Sequence, residues 1–316
     1  MIEQSKPSVP LADVEAWLTQ QLGDVTGLSP ISGGFWSAAY SFISGGRDLI
    51  LRLSDLGEGF AFDKAAVQFR SEGLPIPEVL DVGHALGHQY AISQRLFGSF
   101  LEDAPEESAD AVGGAISDLL HAMRAAPKGK AVNWFEPTEV TWHEWLLAGL
   151  EDNAESPAGH WREKLSKLPD VEVVFNGCET RIRELLSLCP ERRDLVHSDL
   201  LHQNVLLSED HQRVSGIFSW KCSLRGDFLY DVAWCTLWSR WFPVIAAANV
   251  WQRTLQADDL TSADLADAAQ RHHCYELQIA ASHLGWHLWT ENTSELTRVA
   301  TTAKEILKRG PLSDNP

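Results

Sequence analysis

The stretch Leu195-Val196-His197-Ser198-Asp199-Leu200-Leu201-His202-Gln203-Asn204-Val205-Leu206-Leu207 places a carboxylate, Asp199, five positions before a carboxamide, Asn204. Apolar runs flank both, so the two polar groups share one loop between buried segments. That spacing suits phosphoryl transfer, which needs a carboxylate to take a hydroxyl proton or align the nucleophile. It also needs a nearby oxygen for the magnesium that neutralises the phosphates. Asp199 fits the first role and Asn204 the second; the bland alternative is an Asp199 that only caps a surface turn. His197 reads as a hydrogen-bond partner that steadies the loop rather than as a proton shuttle.

The elements that must position this loop follow from apolar periodicity. Leu11, Val14, Trp17, Leu18 and Leu22 recur at helical spacing behind Pro10, which predicts an opening amphipathic helix. Residues 38–43 and 48–53 are β-rich runs separated by Ser44-Gly45-Gly46, a hairpin. Residues 63–72 look helical, Leu74-Pro75-Ile76-Pro77 must be extended, and strands are expected over 79–82 and 89–93. Further helices are expected over 109–126, 141–150, 178–189 and along the tract 263–307. A β-rich first third thus precedes a helical remainder, an α+β arrangement with a boundary near residues 94–100.

Composition narrows the function classes. The net charge of −18, from 26 Lys and Arg against 44 Asp and Glu, repels nucleic acid and anionic lipid and favours a cationic ligand. The longest apolar runs fall far short of the roughly 18 residues of a membrane span, and the first ten residues lack a signal peptide's apolar core. A cytoplasmic protein is expected. Five scattered cysteines with no C-x-x-C pair argue against a disulfide framework or a zinc site.

On the loop at 197–204 the sequence resembles the aminoglycoside phosphotransferase family, whose members share a protein-kinase-like fold. The resemblance runs over about residues 28–310. It is carried further by Leu74-Pro75-Ile76-Pro77-Glu78-Val79-Leu80-Asp81-Val82-Gly83, by Gly216-Ile217-Phe218 before Trp220, and by Gly226-Asp227 and Tyr230-Asp231. It implies a β-rich nucleotide-binding lobe over residues 1–96 and a mainly helical catalytic and substrate-binding lobe over 97–316. It also implies ATP and magnesium as cofactors and a cationic aminoglycoside, hygromycin B first among them, as the phosphate acceptor. Neither nucleic acid nor a membrane is an expected partner, and the expected state is a monomer or weak dimer.

Carried over by position, Ser32, Gly33 and Gly34 would lie over the ATP phosphates. Arg52, inside an otherwise apolar strand, would pair with those phosphates and with Asp63. Gln94 and Leu96 would hydrogen-bond adenine. Asp231, Glu276 and Glu291 are the candidate acids for the acceptor's ammonium groups. The departure is Ser219: in the family the strand after this loop ends in I-D-W, whose aspartate is the principal magnesium ligand, and here the matching residues are Phe218-Ser219-Trp220. A neutral hydroxyl is a poor magnesium ligand beside a carboxylate. Three accounts stand open: a protein altered at this position, a variant that holds its metal differently, and a binding protein without catalysis. A kinase of another cationic or polyhydroxylated metabolite is the further alternative.

Overall fold

The computed structural model describes residues 6–32, 37–55, 59–128, 140–152 and 159–313. An opening helix, α1 (Leu11–Leu22), packs Val14 and Leu18 against a five-stranded antiparallel sheet. The strands are β1 (Thr26–Ile31), β2 (Ser37–Ser44), β3 (Arg47–Ser54), β4 (Val79–Ala85) and β5 (His88–Gln94), in the order β1-β2-β3-β5-β4. The turn between β2 and β3 holds Gly45 at φ 57° and Gly46 at φ 72°, and paired left-handed residues match the twist of a tight hairpin.

Strand alternation then sorts β3. Leu49, Leu51 and Leu53 face α1 and join Tyr40, Phe42, Tyr90 and Ile92 in one core. Arg52 falls between them and points to the opposite face. The helix on that side, α2 (Gly59–Ala66), begins and ends earlier than the helix expected over 63–72, and a single 3-10 turn at Val67–Phe69 completes it.

The sheet ends at Gln94, and the chain leaves it through Gly98 at φ 152°. A Cβ there would lie 2.1 Å from the Leu207 carbonyl oxygen, so only glycine passes. Beyond it, β6 (Ser99–Phe100) already pairs with the second half of the chain. Its partner is β8 (Val205–Leu207), which pairs in turn with β9 (Val214–Ile217), while β7 (Asp194–Val196) pairs with β10 (Leu224–Gly226). These short ladders frame the 197–204 loop.

The rest is helical: α3 (Ala109–Ala125), α4 (Trp142–Ala148), α5 (Trp161–Leu165), α6 (Pro169–Leu185), α7 (Leu229–Trp238), α8 (Pro243–Ala247), α9 (Val250–Leu255), α10 (Ala268–Thr290) and α11 (Thr293–Arg309). The largely buried α10 runs through the centre, against α5, α6, α7 and α11. The tract expected to be helical over 263–307 is therefore two helices, split where Glu291 turns left-handed and Asn292 caps α11 by accepting the Glu295 N–H. No helix among the described residues is long and apolar enough to cross a membrane.

Candidate active site

Two short strands carry the loop. Val196 ends β7, Val205 opens β8, and both are fully buried, so the polar residues between them are held by fixed ends. His197 is also fully buried. Its Nδ1 accepts the Asp199 N–H at 3.2 Å, which places the ring proton on Nε2, and Nε2–H donates to the Phe218 carbonyl at 3.1 Å. Burial pushes the imidazole's pKa down, so it stays neutral with both nitrogens committed to backbone. That is a brace, with no proton to pass on.

Asp199 is oriented from two sides. His202 Nδ1–H donates to Oδ1 at 3.0 Å, and the Asn204 amide donates to Oδ2 at 2.9 Å and to the Asp199 carbonyl at 2.8 Å. Each carboxylate oxygen keeps a further acceptor position, and the side chain is 25% exposed, open to an incoming hydroxyl. The Asn204 amide donors are used inward, which leaves Oδ1 outside these bonds.

Asp231 supports this loop from below. It is 1% exposed and accepts the N–H groups of His197 and Ser198, both at 2.8 Å. Burial pushes its carboxyl up to about 7 against the pull of those two donors. Asp227 anchors the next layer. It is fully buried and takes Arg271 Nε and Nη2, the Tyr275 hydroxyl at 2.7 Å and the Leu229 N–H at 3.2 Å.

The sheet reaches the same point through Asp63. Arg52 pairs with Asp63 Oδ2, while Asp63 Oδ1 accepts the Trp220 N–H at 2.8 Å. The strand arginine and the segment holding Ser219 are thus fixed by one buried carboxylate. Ser219 stands beside Asn204: Val205 pairs with Ile217, and the Phe218 N–H bonds the Asn204 carbonyl at 3.1 Å. Its backbone is left-handed, φ 69° and ψ 53°.

Among the described residues, no group of three or more His, Cys, Asp or Glu side chains is arranged to hold a metal ion. Asn204 and Asp199 bring hard oxygen donors together on the loop, and Ser219 follows the residue whose N–H bonds the Asn204 carbonyl. So small a set of oxygen donors would suit a magnesium ion carried in with nucleotide phosphates better than an all-protein cage.

Among the nucleotide residues expected from the sequence, Ser32 directly follows β1, and Gly33 and Gly34 lie outside the described residues. Gln94 gives its N–H to the Glu78 carbonyl at 2.8 Å. Leu96 packs over Gly216 of β9.

The acids expected to line an acceptor pocket are not brought together. Asp231 is the loop support just described. Glu276 is 1% exposed and engaged by Arg309 and the Thr236 hydroxyl. Glu291 is exposed at the end of α10, paired with Lys164 at 3.0 Å. Asp231 and Glu276 are interior supports, because a carboxylate buried to this degree is held by its own donors and meets no solute.

Glu102 was not anticipated. It follows β6 and accepts the Gln203 N–H inside the loop, and burial pushes its carboxyl up. The two residues lie 101 positions apart, and only the pairing of β6 with β8 joins them.

Residues 27–266 match the phosphotransferase enzyme family (APH). Hygromycin-B 4-O-kinase of Escherichia coli is 32% identical over 247 residues, 75% of this chain and 69% of that protein. The crystal structure of aminoglycoside phosphotransferase APH(4)-Ia is similar with a TM-score of 0.79 at 27% identity, covering 95% of this chain and 99% of that one. A thermostable mutant of it in ternary complex with AMP-PNP and hygromycin B gives 0.80 at 27% identity, over 94% and 98%. Spectinomycin phosphotransferase APH(9)-Ia, at 11% identity and a TM-score of 0.56 over 96% and 98%, shares the fold alone. With a β-sheet first third, a helical remainder and the braced Asp199–Asn204 loop between them, this chain has the protein-kinase-like fold and belongs to the phosphotransferase enzyme family.

Proposed function

We propose that the chain transfers the γ-phosphate of ATP to a hydroxyl of an aminoglycoside, hygromycin B being the first acceptor to test. The observation that carries this reading is the loop itself. A neutral His197, the buried Asp231 and the Asn204 amide hold Asp199 half-open with acceptor capacity to spare. The acceptor O–H proton passes to the Asp199 carboxylate as the new O–P bond forms, the bond from the γ-phosphorus to the bridging oxygen breaks, and ADP leaves. Arg52, held by Asp63, offers its guanidinium to the phosphates. Asn204 and position 219 would hold magnesium with the nucleotide, and that ion would supply charge neutralisation of the phosphates.

In this reading residues 1–96 hold the nucleotide, under Ser32, Gly33 and Gly34 and against Gln94 and Leu96. Residues 97–316 carry Asp199 and the acceptor site. The end of the sheet at Gln94 and the pairing of Ser99–Phe100 with β8 support that division. A cytoplasmic location, where ATP is supplied, goes with this reading.

Phosphate transfer from γ-labelled ATP to a panel of aminoglycosides, amino alcohols and sugars tests the proposal. Labelled hygromycin B with wild-type protein supports it, and no labelled product from either wild type or Ser219→Asp overturns it. Ser219 favours a second reading, a nucleotide- and drug-binding protein without turnover. Calorimetric ATP binding with no transfer and no rescue by Ser219→Asp would select that one.

A further inference from the structure

The 197–204 loop is left-handed at both ends. Ser198 stands at φ 56°, and His202 and Gln203 stand side by side at φ 63° and 67°. Residues with a Cβ avoid this region, and such backbone persists only where neighbouring groups hold it. At the entry the holder is Asp231, which accepts the Ser198 N–H. At the exit it is Glu102, whose Oε1 accepts the Gln203 N–H. The exit turn governs both carboxylate oxygens of Asp199, since His202 bonds Oδ1 and Asn204 bonds Oδ2.

The two holders differ in origin. Asp231 belongs to α7, inside the helical part, whereas Glu102 lies on the connector that leaves the sheet, six positions after Leu96 and within the single turn Leu101–Asp103. That connector is fastened to the strands behind the loop. The Ser215 hydroxyl donates to the Phe97 carbonyl at 2.7 Å, and Ser99 and Phe100 pair with Leu207 and Leu206. Glu102 carries the same fastening forward to the residue before Asn204. Its other oxygen, Oε2, is shielded from solvent and has no hydrogen-bond partner among the described residues. A carboxyl group with one oxygen unserved is a costly way to fill space. What it gains is a strong acceptor aimed at one backbone N–H.

We infer that Glu102 is a positioning residue for the nucleotide and its metal: it fixes the His202–Gln203 turn and, through it, the side chain of Asn204. The connector assigned to the base and the Asn204 end of the loop are thereby set as one unit. The inference rests on the phosphotransferase reading and deepens it, because it names what couples nucleotide binding to the metal-holding end of the loop.

The test compares Glu102→Gln, which keeps the shape and a neutral acceptor, with Glu102→Ala, which removes the acceptor. The KM for ATP and the magnesium concentration at half-saturation should rise about tenfold in Glu102→Gln and about thirtyfold in Glu102→Ala. Saturated kcat should stay within about threefold and hygromycin B affinity within about twofold. Calorimetric titration of magnesium into the AMP-PNP complex should follow the same order. The Gln203 amide should exchange with deuterium at least about tenfold faster in Glu102→Ala. A merely structural role would lower the melting temperature of both variants and leave the ATP and magnesium constants at wild-type values; that result, or an equal loss of hygromycin B affinity, overturns the inference. If the wild type transfers phosphate to no acceptor, the phosphotransferase reading fails, while the magnesium titration and the Gln203 exchange still decide the role of Glu102. No magnesium binding by the wild-type AMP-PNP complex overturns both.

Discussion

Ser219→Asp should convert a weak metal ligand into a strong one without disturbing the fold. The backbone at 219 is left-handed, a region in which aspartate is among the most tolerated non-glycine residues, so the change adds little strain. Its neighbours are pinned. The Phe218 N–H bonds Asn204, the Phe218 carbonyl takes His197, and the Trp220 N–H takes Asp63, so the new carboxylate emerges where the hydroxyl does. The position is half-buried, which calls for an effective dielectric of about 20, where one unit-charge pair at 4 Å is worth roughly 4 kcal/mol. Dehydrating the carboxylate and placing it near Asp199 offsets about half of that, leaving ~2 kcal/mol, or about thirtyfold.

Magnesium should therefore half-saturate the variant at about one thirtieth of the wild-type concentration, both in phosphate transfer and in titration of magnesium into the AMP-PNP complex. Without metal, the added charge should lower the variant's unfolding temperature, and magnesium with nucleotide should raise it more than in the wild type. Equal magnesium dependence of the two proteins in both assays would show that position 219 does not contact the metal.

Asp199→Asn should lower kcat by about a thousandfold or more and leave AMP-PNP affinity within about threefold, because it removes proton acceptance and keeps the shape; paired calorimetry and transfer assays check this. Arg271→Met leaves Asp227 charged in the interior without its fork of donors, a loss of about 3–5 kcal/mol that a thermal melt would register as a drop of roughly 6–15 °C. His272 is buried and neutral, its pKa held down to about 3, whereas an unfolded histidine titrates near 6.5, so folding excludes a proton below that pH. Between pH 7 and 5 this costs the wild type about 2 kcal/mol, and His272→Gln should lose about that much less across the same interval in urea melts. Glu102→Gln removes a carboxylate that accepts the Gln203 N–H; a rise of about tenfold in the KM for ATP, with hygromycin B binding unchanged, is expected from a loop that moves beside Asn204.

What was readable in the chain was local. Asp199 and Asn204 sit within one loop, so their spacing alone states their relation, and Pro10, the Gly45-Gly46 turn and the alternation of β3 likewise act over a few residues. Helix α6 starts at Pro169, with Asp170 and Glu172 in its first turn, well before the helix expected from residue 178. Asn292 was a cap inside an apparent single helix.

By itself the sequence determined the α+β order, the apolar faces and the reacting loop, because periodicity, turn geometry and loop spacing are properties of neighbouring residues. Only the tertiary structure decided which charges are interior struts. Asp231 binds backbone 34 residues away, Glu276 meets Arg309 across 33 residues, and Trp238 reaches His283 only because α7 lies on α10. A carboxylate's role depends on whether water or a buried donor faces it, and burial is set by the packing of elements far apart in the chain.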